Sequence, residues 1–402
     1  MKLQTVIISV LLLTSSICIG QTSSGIASYT SFLNGQKQSA KEYILDLFKT
    51  HDIVIICERD HREITQYDLF LDIIGDKRFV NTVGNVFTEI GLSNLNPALN
   101  TFLHTKNLPN DEQNRQILNF QRNLSWNVLW EKYNYTYFLK GLYKINSRLS
   151  EQNAIWLYPS EVPFDWQKVD SSNYKEIVMP LIENRDSIIA SQIIQQISKI
   201  GARPGHHKKA LIIMNFRHAF NRNFPLPDGR QISNAAAFLF KQYGNRVANV
   251  LLNPLKIDLN GKQSLGQDGK WDAAFADVGN IPLGFNLIGT PFGKDSFDLW
   301  PVGKPTLTYQ DMFTGFAFYQ PIEIQKLVTG IPGFLDSAYL DEFFRRYELS
   351  TIVLPNMKHF SKEEIANFKS NPQDWEKEIN EKKEYQYQDM DSLILVRRRW
   401  FK

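Results

Sequence analysis

Five residues of this chain have side chains of the types that activate water: Glu58, His61, Glu89, Arg185 and His218. A histidine or a glutamate at such a site takes a proton from water, and the neighbouring charges stabilise the anion that forms. Histidine suits this task because its pKa lies near neutrality. The same residue types also hold divalent metals that activate water. The residues alone leave both chemistries open.

Each of these residues adjoins a predicted secondary-structure element. Four apolar runs predict buried strands, at residues 53–57, 85–89, 154–158 and 210–214. The first run stops directly before Glu58, the second ends at Glu89, and the fourth leads through three polar or aromatic residues to His218. Arg185 lies in the first turn of the helix predicted for residues 184–200. Because the carboxyl ends of parallel strands meet at one sheet edge, we expect these side chains to converge there.

The order of predicted elements indicates an α/β fold, with a largely parallel central sheet and helices on both faces. Further strands are predicted at residues 246–253, 312–319, 351–354 and 392–396, and long loops at 256–310. Residues 95–150 lack a strand-like run and predict a helical insertion that covers the site. Its aromatic residues at helical spacing either face the site or belong to the core; they are Trp126, Trp130, Tyr133, Tyr135, Tyr137, Phe138 and Tyr143.

The amino terminus predicts secretion. Residues 1–20 combine Lys2, a short apolar segment and small residues before Gln21, which is typical of a signal peptide cleaved near Gly20. We expect a flexible tether over residues 21–40 and a single α/β domain over 41–402. The predicted location is therefore secreted or periplasmic. The apolar segment is too short to span a bilayer, and no transmembrane segment is predicted.

Composition and motifs exclude several function classes. The net charge is +3, from 45 basic and 42 acidic residues, so no nucleic-acid surface is predicted. The basic run at 397–399 is expected to be the solvated end of a strand. Gly-x-Ser-x-Gly, Gly-x-Gly-x-x-Gly, P-loop and His-Glu-x-x-His motifs are absent from the sequence. The sequence therefore lacks the residues that characterise serine hydrolases, dinucleotide-binding proteins and nucleoside-triphosphate-binding proteins.

These motifs resemble those of a known superfamily, which contains the erythromycin esterase-like proteins, the ChaN-type haem-binding proteins and the Tiki proteases. Its first strand runs into Gly-Glu-x-x-His, which residues 57–61 resemble with Cys57 in place of glycine. The second glutamate is similar to Glu89, the Arg-Asp helix start to Arg185-Asp186, and the strand leading to a histidine to residues 214–218. The resemblance covers residues 45–320 by short motifs. It implies that Glu58, His61, Glu89 and His218 activate water without metal, while Arg185 stabilises negative charge.

Three functions follow, in order of preference. The first is a secreted, esterase-like hydrolase acting on a small-molecule substrate, for which no cofactor is predicted. The second is a non-catalytic protein of the ChaN type that binds haem or another flat hydrophobic ligand through the aromatic insertion at 126–143. The third is a metal-dependent peptidase of the Tiki type, in which a divalent metal would be the cofactor.

Overall fold

The computed structural model describes residues 25–201, 207–226, 228–258, 262–299 and 307–401. The predicted signal peptide at 1–20 lies outside the described residues. The strands are β1 (Ile53–Glu58), β2 (Asn85–Leu92), β3 (Trp156–Glu161), β4 (Ala210–Asn215), β5 (Phe224–Pro225), β6 (Gln231–Ile232), β7 (Val247–Leu252), β8 (Leu255–Ile257), β9 (Gln263–Leu265), β10 (Gly284–Asn286), β11 (Gly315–Ala317), β12 (Leu327–Thr329) and β13 (Lys383–Tyr385).

The α-helices, in chain order, are α1 (Ala27–Asn34), α2 (Ala40–Leu47), α3 (Thr65–Ile74), α4 (Lys77–Thr82), α5 (Asn96–His104), α6 (Asn110–Arg122), α7 (Asn134–Asn146), α8 (Tyr174–Glu183), α9 (Arg185–Gly201), α10 (Ala235–Tyr243), α11 (Lys270–Asp277), α12 (Pro291–Lys294), α13 (Tyr309–Met312), α14 (Leu340–Thr351), α15 (Lys362–Ser370), α16 (Pro372–Trp375) and α17 (Met390–Arg398). Shorter 3₁₀ turns connect several of them.

A seven-stranded sheet organises the described chain, in the order β10-β11-β7-β1-β4-β2-β3. All neighbours pair in parallel except β10 and β11, which are antiparallel. β1, the centre of the sheet, pairs with β4 so that Glu58 lies opposite Asn215. The predicted largely parallel α/β fold is confirmed.

Successive residues of β1 pack into two different cores, which shows that helices cover both faces of the sheet. Ile53, Ile55 and Cys57 lie in one apolar cluster, and Val54 and Ile56 lie in the other. The first cluster includes residues of α1, α9, α10 and α11, and the second includes residues of α2, α3, α5 and α7. A strand buried on both faces must be apolar throughout, which is why β1 stood out in the sequence.

Cys57 is part of β1 and is fully buried. Its backbone is not in the left-handed region, so a cysteine fits here without strain. Burial raises the pKa of its thiol well above the usual value. Cys57 is therefore a packed core residue.

The segment between β2 and β3 is helical, as predicted for residues 95–150, and consists mainly of α5, α6 and α7. Three of the seven aromatic side chains singled out above belong to the core: Tyr135, Phe138 and Tyr143 are buried. Trp130 is the exception that matters for the site, because its ring contacts His61 edge to face with centroids 5.0 Å apart.

Several sequence predictions differ from the structure. Residues 351–354 and 392–396, predicted to be strands, lie at and beyond the end of α14 and within α17, so those two predictions are wrong. Their apolar runs are short, and such runs do not distinguish a strand from a helix. The run at 397–399 consequently ends a helix, and Arg397 forms an ion pair with Glu323.

Two segments predicted to be irregular contain regular structure. Within residues 21–40, α1 places Tyr29 and Leu33 in the core. Within residues 256–310, β9, β10, α11 and α12 are formed. Along the described ranges, none of the helices combines the length and the apolar character that crossing a bilayer requires.

Candidate active site

The first part of the site is a glutamate–histidine pair at the end of β1. His61 Nδ1 lies 2.6 Å from Glu58 Oε2, and the Glu58 side chain is almost fully buried. The Tyr67 hydroxyl donates a 2.5 Å hydrogen bond to Glu58 Oε1, and Asn134 Nδ2 donates to the Tyr67 hydroxyl at 2.7 Å. Helices α3 and α7 therefore hold the carboxylate in one orientation, and that carboxylate orients the imidazole.

The loop that carries His61 is fixed by Gln66 of α3. Its Oε1 accepts from the Arg59 backbone N–H at 2.8 Å, and its Nε2 donates to the Asp60 carbonyl at 2.8 Å. A buried side chain that binds the backbone on both sides of a turn leaves it few alternatives. His61 is thus presented by a rigid turn.

The second part is Glu89, which is buried within β2. Its Oε2 accepts from the Asn215 backbone N–H at 2.7 Å, and its Oε1 accepts from Arg185 Nη2 at 3.0 Å. Two residues later Gly91 adopts φ +99°, a conformation in which a Cβ would lie 2.8 Å from both the Pro159 Cβ and the Tyr135 hydroxyl. Only glycine fits this position.

The third part is a second histidine–carboxylate pair. His218 ends the 3₁₀ turn Phe216–His218 that follows β4, and its Nδ1 lies 2.7 Å from Asp186 Oδ1. Asp186 is fixed in turn, because its Oδ1 accepts from the Ala235 backbone N–H at the start of α10, at 2.9 Å. His218 therefore has the same arrangement as His61, with one ring nitrogen held by a carboxylate.

Arg185, the first residue of α9, joins these parts. Its Nε lies 3.0 and 2.9 Å from the two carboxylate oxygens of Glu161, at the end of β3. Its Nη1 lies 3.2 Å from His218 Nε2. A cation in the first helical turn is unfavourable towards the helix dipole. The two buried glutamates, Glu89 and Glu161, outweigh that cost and account for its presence.

Both imidazoles face the same carboxylate oxygen. Glu89 Oε1 lies 4.0 Å from His61 Nε2 and 3.3 Å from His218 Nε2. Arginine only donates hydrogen bonds, so the contact with Arg185 assigns a lone pair to His218 Nε2 and the proton to Nδ1, which donates to Asp186. Glu58 likewise accepts the Nδ1 proton of His61. His61 Nε2 is then available as a base, whereas the lone pair of His218 Nε2 accepts from Arg185.

Charge and burial oppose each other at these groups. Burial acts to lower the pKa of His61, but the attraction of Glu58, its hydrogen bond and the charge of Glu89 outweigh it, so that pKa lies above its usual value. Burial acts to raise the pKa of Glu89, but the positive charges of protonated His218, of Arg185 and of protonated His61 hold it far below the usual range. Glu89 is therefore ionised.

The two histidines and the arginine of the site are partly exposed to solvent. Side-chain exposure is 11% for His61, 18% for His218 and 21% for Arg185. Beside His61 lies a cleft of about 330 Å³, whose walls include Asn215 and Arg217. A small molecule in this cleft would reach His61.

The structure places all five predicted residues, Glu58, His61, Glu89, Arg185 and His218, in one cluster. Sequence reasoning did not assign roles to Glu161, Asp186, Asn215 or Tyr67. Glu161 could have been identified from the sequence, because it lies three residues beyond the third apolar run, near the carboxyl end of a predicted strand. Tyr67 faces Glu58 from one turn into α3, and no sequence spacing identifies such a contact.

Among the described residues, no three or more His, Cys, Asp and Glu side chains are arranged to hold a metal ion. A cation, Arg185, already lies between Glu89 and Glu161 and would repel a second one. The haem-binding interpretation required the aromatic insertion to form a flat ligand surface, whereas three of its seven rings, those of Tyr135, Phe138 and Tyr143, are buried in the core.

Comparison with known proteins shows distant structural neighbours. No family profile and no curated protein matches the sequence. A mutant of erythromycin esterase EreC in its open conformation has TM-score 0.44 and 9% identity, over 74% of this chain and 96% of the other. A protein from Bacillus cereus has TM-score 0.43 and 11% identity, over 72% and 96%.

A third solved structure, a succinoglycan biosynthesis protein, has TM-score 0.39 and 10% identity, over 68% of this chain and 89% of the other. Scores and identities this low establish neither a family nor an activity for this chain. The side chains of the site are therefore the basis for its proposed function.

Proposed function

We propose that this chain is a hydrolase of ester bonds, which activates water between His61 and His218. The observation that supports this most strongly is the approach of both Nε2 atoms to Glu89 Oε1, at 4.0 and 3.3 Å, while each Nδ1 is bound by its own carboxylate. An oriented base, His61 Nε2, beside an ionised carboxylate is what a bound water needs in order to lose a proton. A purely structural ion-pair network has no need for two matching histidine–carboxylate pairs.

The proposed reaction assigns one role to each side chain. A water held by Glu89 gives a proton to His61 Nε2 as its oxygen attacks the ester carbonyl, and Glu58 stabilises the imidazolium. Arg185 keeps Glu89 ionised and offsets the negative charge of the site. The tetrahedral intermediate then loses its alkoxide, which leaves with the proton taken from the water. His218, held by Asp186, lies on the other side of Glu89 and assists this transfer.

The direct test is turnover of a panel of aryl and alkyl esters by the wild type and by the variants His61→Ala and His218→Ala. A general base contributes about 10²–10⁴-fold, so each variant should lose at least two orders of magnitude in kcat/KM. His359→Ala is the matched control, because His359 is exposed and lies outside the cluster.

Circular dichroism and thermal unfolding must show that the variants stay folded. Full activity in both folded site variants, on any ester that the wild type cleaves, would refute the proposal. Equal loss in the His359 control would show that the effect does not come from the site.

Secretion is proposed on the residues 1–20 alone. Expression of the full chain followed by amino-terminal sequencing of the exported protein tests it. A mature chain that begins at Gln21 is the expected result, and retention of residues 1–20 on the exported protein would contradict it.

A further inference from the structure

The carboxyl-terminal part of the chain supplies one wall of the cleft beside His61. Leu327 of β12 is bridged on one side to Glu63, which belongs to the loop that carries His61, and on the other side to Tyr385 of β13. Neighbouring strands lie about 4.8 Å apart, so β13 is two strand spacings away from that loop. The chain that follows β13 therefore runs close to the cleft.

Tyr387, two residues beyond β13, lines the cleft together with His61. Its ring packs in an apolar cluster with Leu255 and Leu393, and the whole residue is only 5% exposed. The charged groups that act on its hydroxyl all belong to the loop that carries His61: Glu63, Arg59, Asp60 and Arg62. The hydroxyl therefore lies on the side of the cleft where that loop lies.

The Tyr387 hydroxyl remains free to bind a ligand. Among the described residues none forms a hydrogen bond with it, and it is not among the unpaired polar atoms that protein encloses completely. Arg59 Nε–H also lacks a partner, but protein encloses it. The other polar side chains of the cleft that can donate already bind neighbouring acceptors; they are Arg62, Lys132, Asn215, Arg217 and Gln263. A carbonyl oxygen in the cleft would thus find its donor in Tyr387.

The environment of Tyr387 keeps its hydroxyl protonated. Burial raises the pKa of this phenol far above the usual value, and the charge of Glu63 raises it further, while that of Arg59 opposes the shift. A protonated phenol donates a hydrogen bond to a carbonyl oxygen, and it donates a stronger one to an oxyanion. A donor whose hydrogen bond strengthens in the transition state accelerates the chemical step.

From these contacts we infer that Tyr387 is a further catalytic residue, whose hydroxyl binds the ester carbonyl oxygen and stabilises the oxyanion that forms there. This inference rests on the proposed hydrolase function. The water oxygen bonds to the carbonyl carbon as His61 takes the proton, and the π electrons of the C=O bond move onto the carbonyl oxygen. When the C=O bond forms again, the alkoxide leaves with the proton from His61. Tyr387 keeps its own proton throughout.

Turnover of para-nitrophenyl acetate tests this role in Tyr387→Phe, which keeps the packed ring and removes the hydroxyl. Loss of one oxyanion donor costs about 10²–10³-fold in kcat, and KM should change little. Tyr347→Phe is the matched control, because Tyr347 is a partly buried tyrosine of another apolar cluster and lies outside the cleft. It should keep the kcat of the wild type. Thermal unfolding must show that both variants are folded.

Binding is measured separately from turnover, by calorimetric titration with two analogues of this ester. Para-nitrophenyl methylphosphonate is tetrahedral and carries a charged oxygen, whereas para-nitroacetanilide has a neutral, planar carbonyl group. Tyr387→Phe should weaken phosphonate binding by about tenfold or more and anilide binding by less, because hydrogen bonds to charged groups are the stronger ones. Tyr347→Phe should weaken neither. A merely structural role of Tyr387 predicts equal weakening for both ligands.

The outcomes separate this inference from the hydrolase proposal. Undiminished kcat in folded Tyr387→Phe, with His61→Ala inactive, would overturn the role of Tyr387 and leave the hydrolase intact. If no ester is cleaved but Tyr387→Phe weakens phosphonate binding selectively, the hydrolase proposal fails and Tyr387 stands as the hydrogen-bond donor of the cleft. Equal weakening of both ligands, or a wild type that does not bind the phosphonate, would overturn the inference.

Discussion

Replacing Arg185 by glutamine should destabilise the fold by about 3–5 kcal/mol, because it removes the cation from a buried ion pair. Glu89 and the Glu161 side chain are 2% and 6% exposed and both contact Arg185 Nη2. Without the arginine, two carboxylates remain side by side in a poorly solvated site. Adding Glu161→Gln removes one of them, so the double variant should be more stable than Arg185→Gln alone, by about 0.5–3 kcal/mol.

The pH dependence of this effect has a definite sign. In the wild type the pKa of Glu89 is lowered, so its contribution is fully present above the unfolded value of about 4.5 and is lost as pH falls. In Arg185→Gln, the burial that acts to raise the pKa of Glu89 is no longer opposed by the arginine, and the penalty of the unpaired carboxylate is relieved as it binds a proton. The stability difference between the wild type and Arg185→Gln should therefore shrink between pH 7 and pH 5.

Urea unfolding, followed by fluorescence and circular dichroism, measures these free energies. Arg115→Gln is the control, because Arg115 pairs with Glu112 on the exposed surface of α6, and its unfolding midpoint should hardly move. If Arg185→Gln lowers the free energy of unfolding by less than about 1 kcal/mol, instead of the expected 3–5 kcal/mol, the reasoning is refuted. A double variant no more stable than Arg185→Gln would do the same.

Three further outcomes are expected. Glu58→Gln should lower kcat/KM by about 10²-fold or more, and it should move the acid limb of the pH–rate profile to lower pH. The base is neutral His61. Burial acts to lower its pKa and Glu58 raises it, so removal of the Glu58 charge should lower that pKa. Asp186→Asn should reduce kcat more than it changes KM, because Asp186 orients His218 without touching substrate; a change confined to KM would contradict this. Gly91→Ala should destabilise the fold by about 1–3 kcal/mol, since φ +99° and two contacts at 2.8 Å exclude a Cβ; an unchanged thermal midpoint would contradict that close packing.

The central strands could be predicted because burial on both faces leaves a direct record in sequence. β1 and β4 are uninterrupted apolar runs, and each is followed by polar residues at the sheet edge. Glu58, His61, Glu89 and His218 could be identified for the same reason. Position at the end of a predicted strand was a better guide to their convergence than any motif.

Other parts of the site depend on tertiary contacts that leave no local pattern. Tyr67 and Asn134 reach Glu58 from two helices, at separations of 9 and 76 residues. The carboxyl-terminal strand predictions were wrong for a different reason. Residues 392–396 are apolar but short, and such a run does not distinguish a strand from a helix. In the structure they belong to α17, which packs on α11 and β9. Local propensity does not contain that information.

Because Cys57 is buried, the reaction of its thiol with a reagent reports whether β1 remains paired with its neighbouring strands. A thiol-reactive dye reaches this sulfur only when β1 separates from its neighbours, because the side chain is inaccessible in the native fold. In a Cys18→Ser background, the labelling rate would then count opening events one residue away from Glu58. Such a signal would follow the scaffold of the site even for a variant that has lost every trace of turnover.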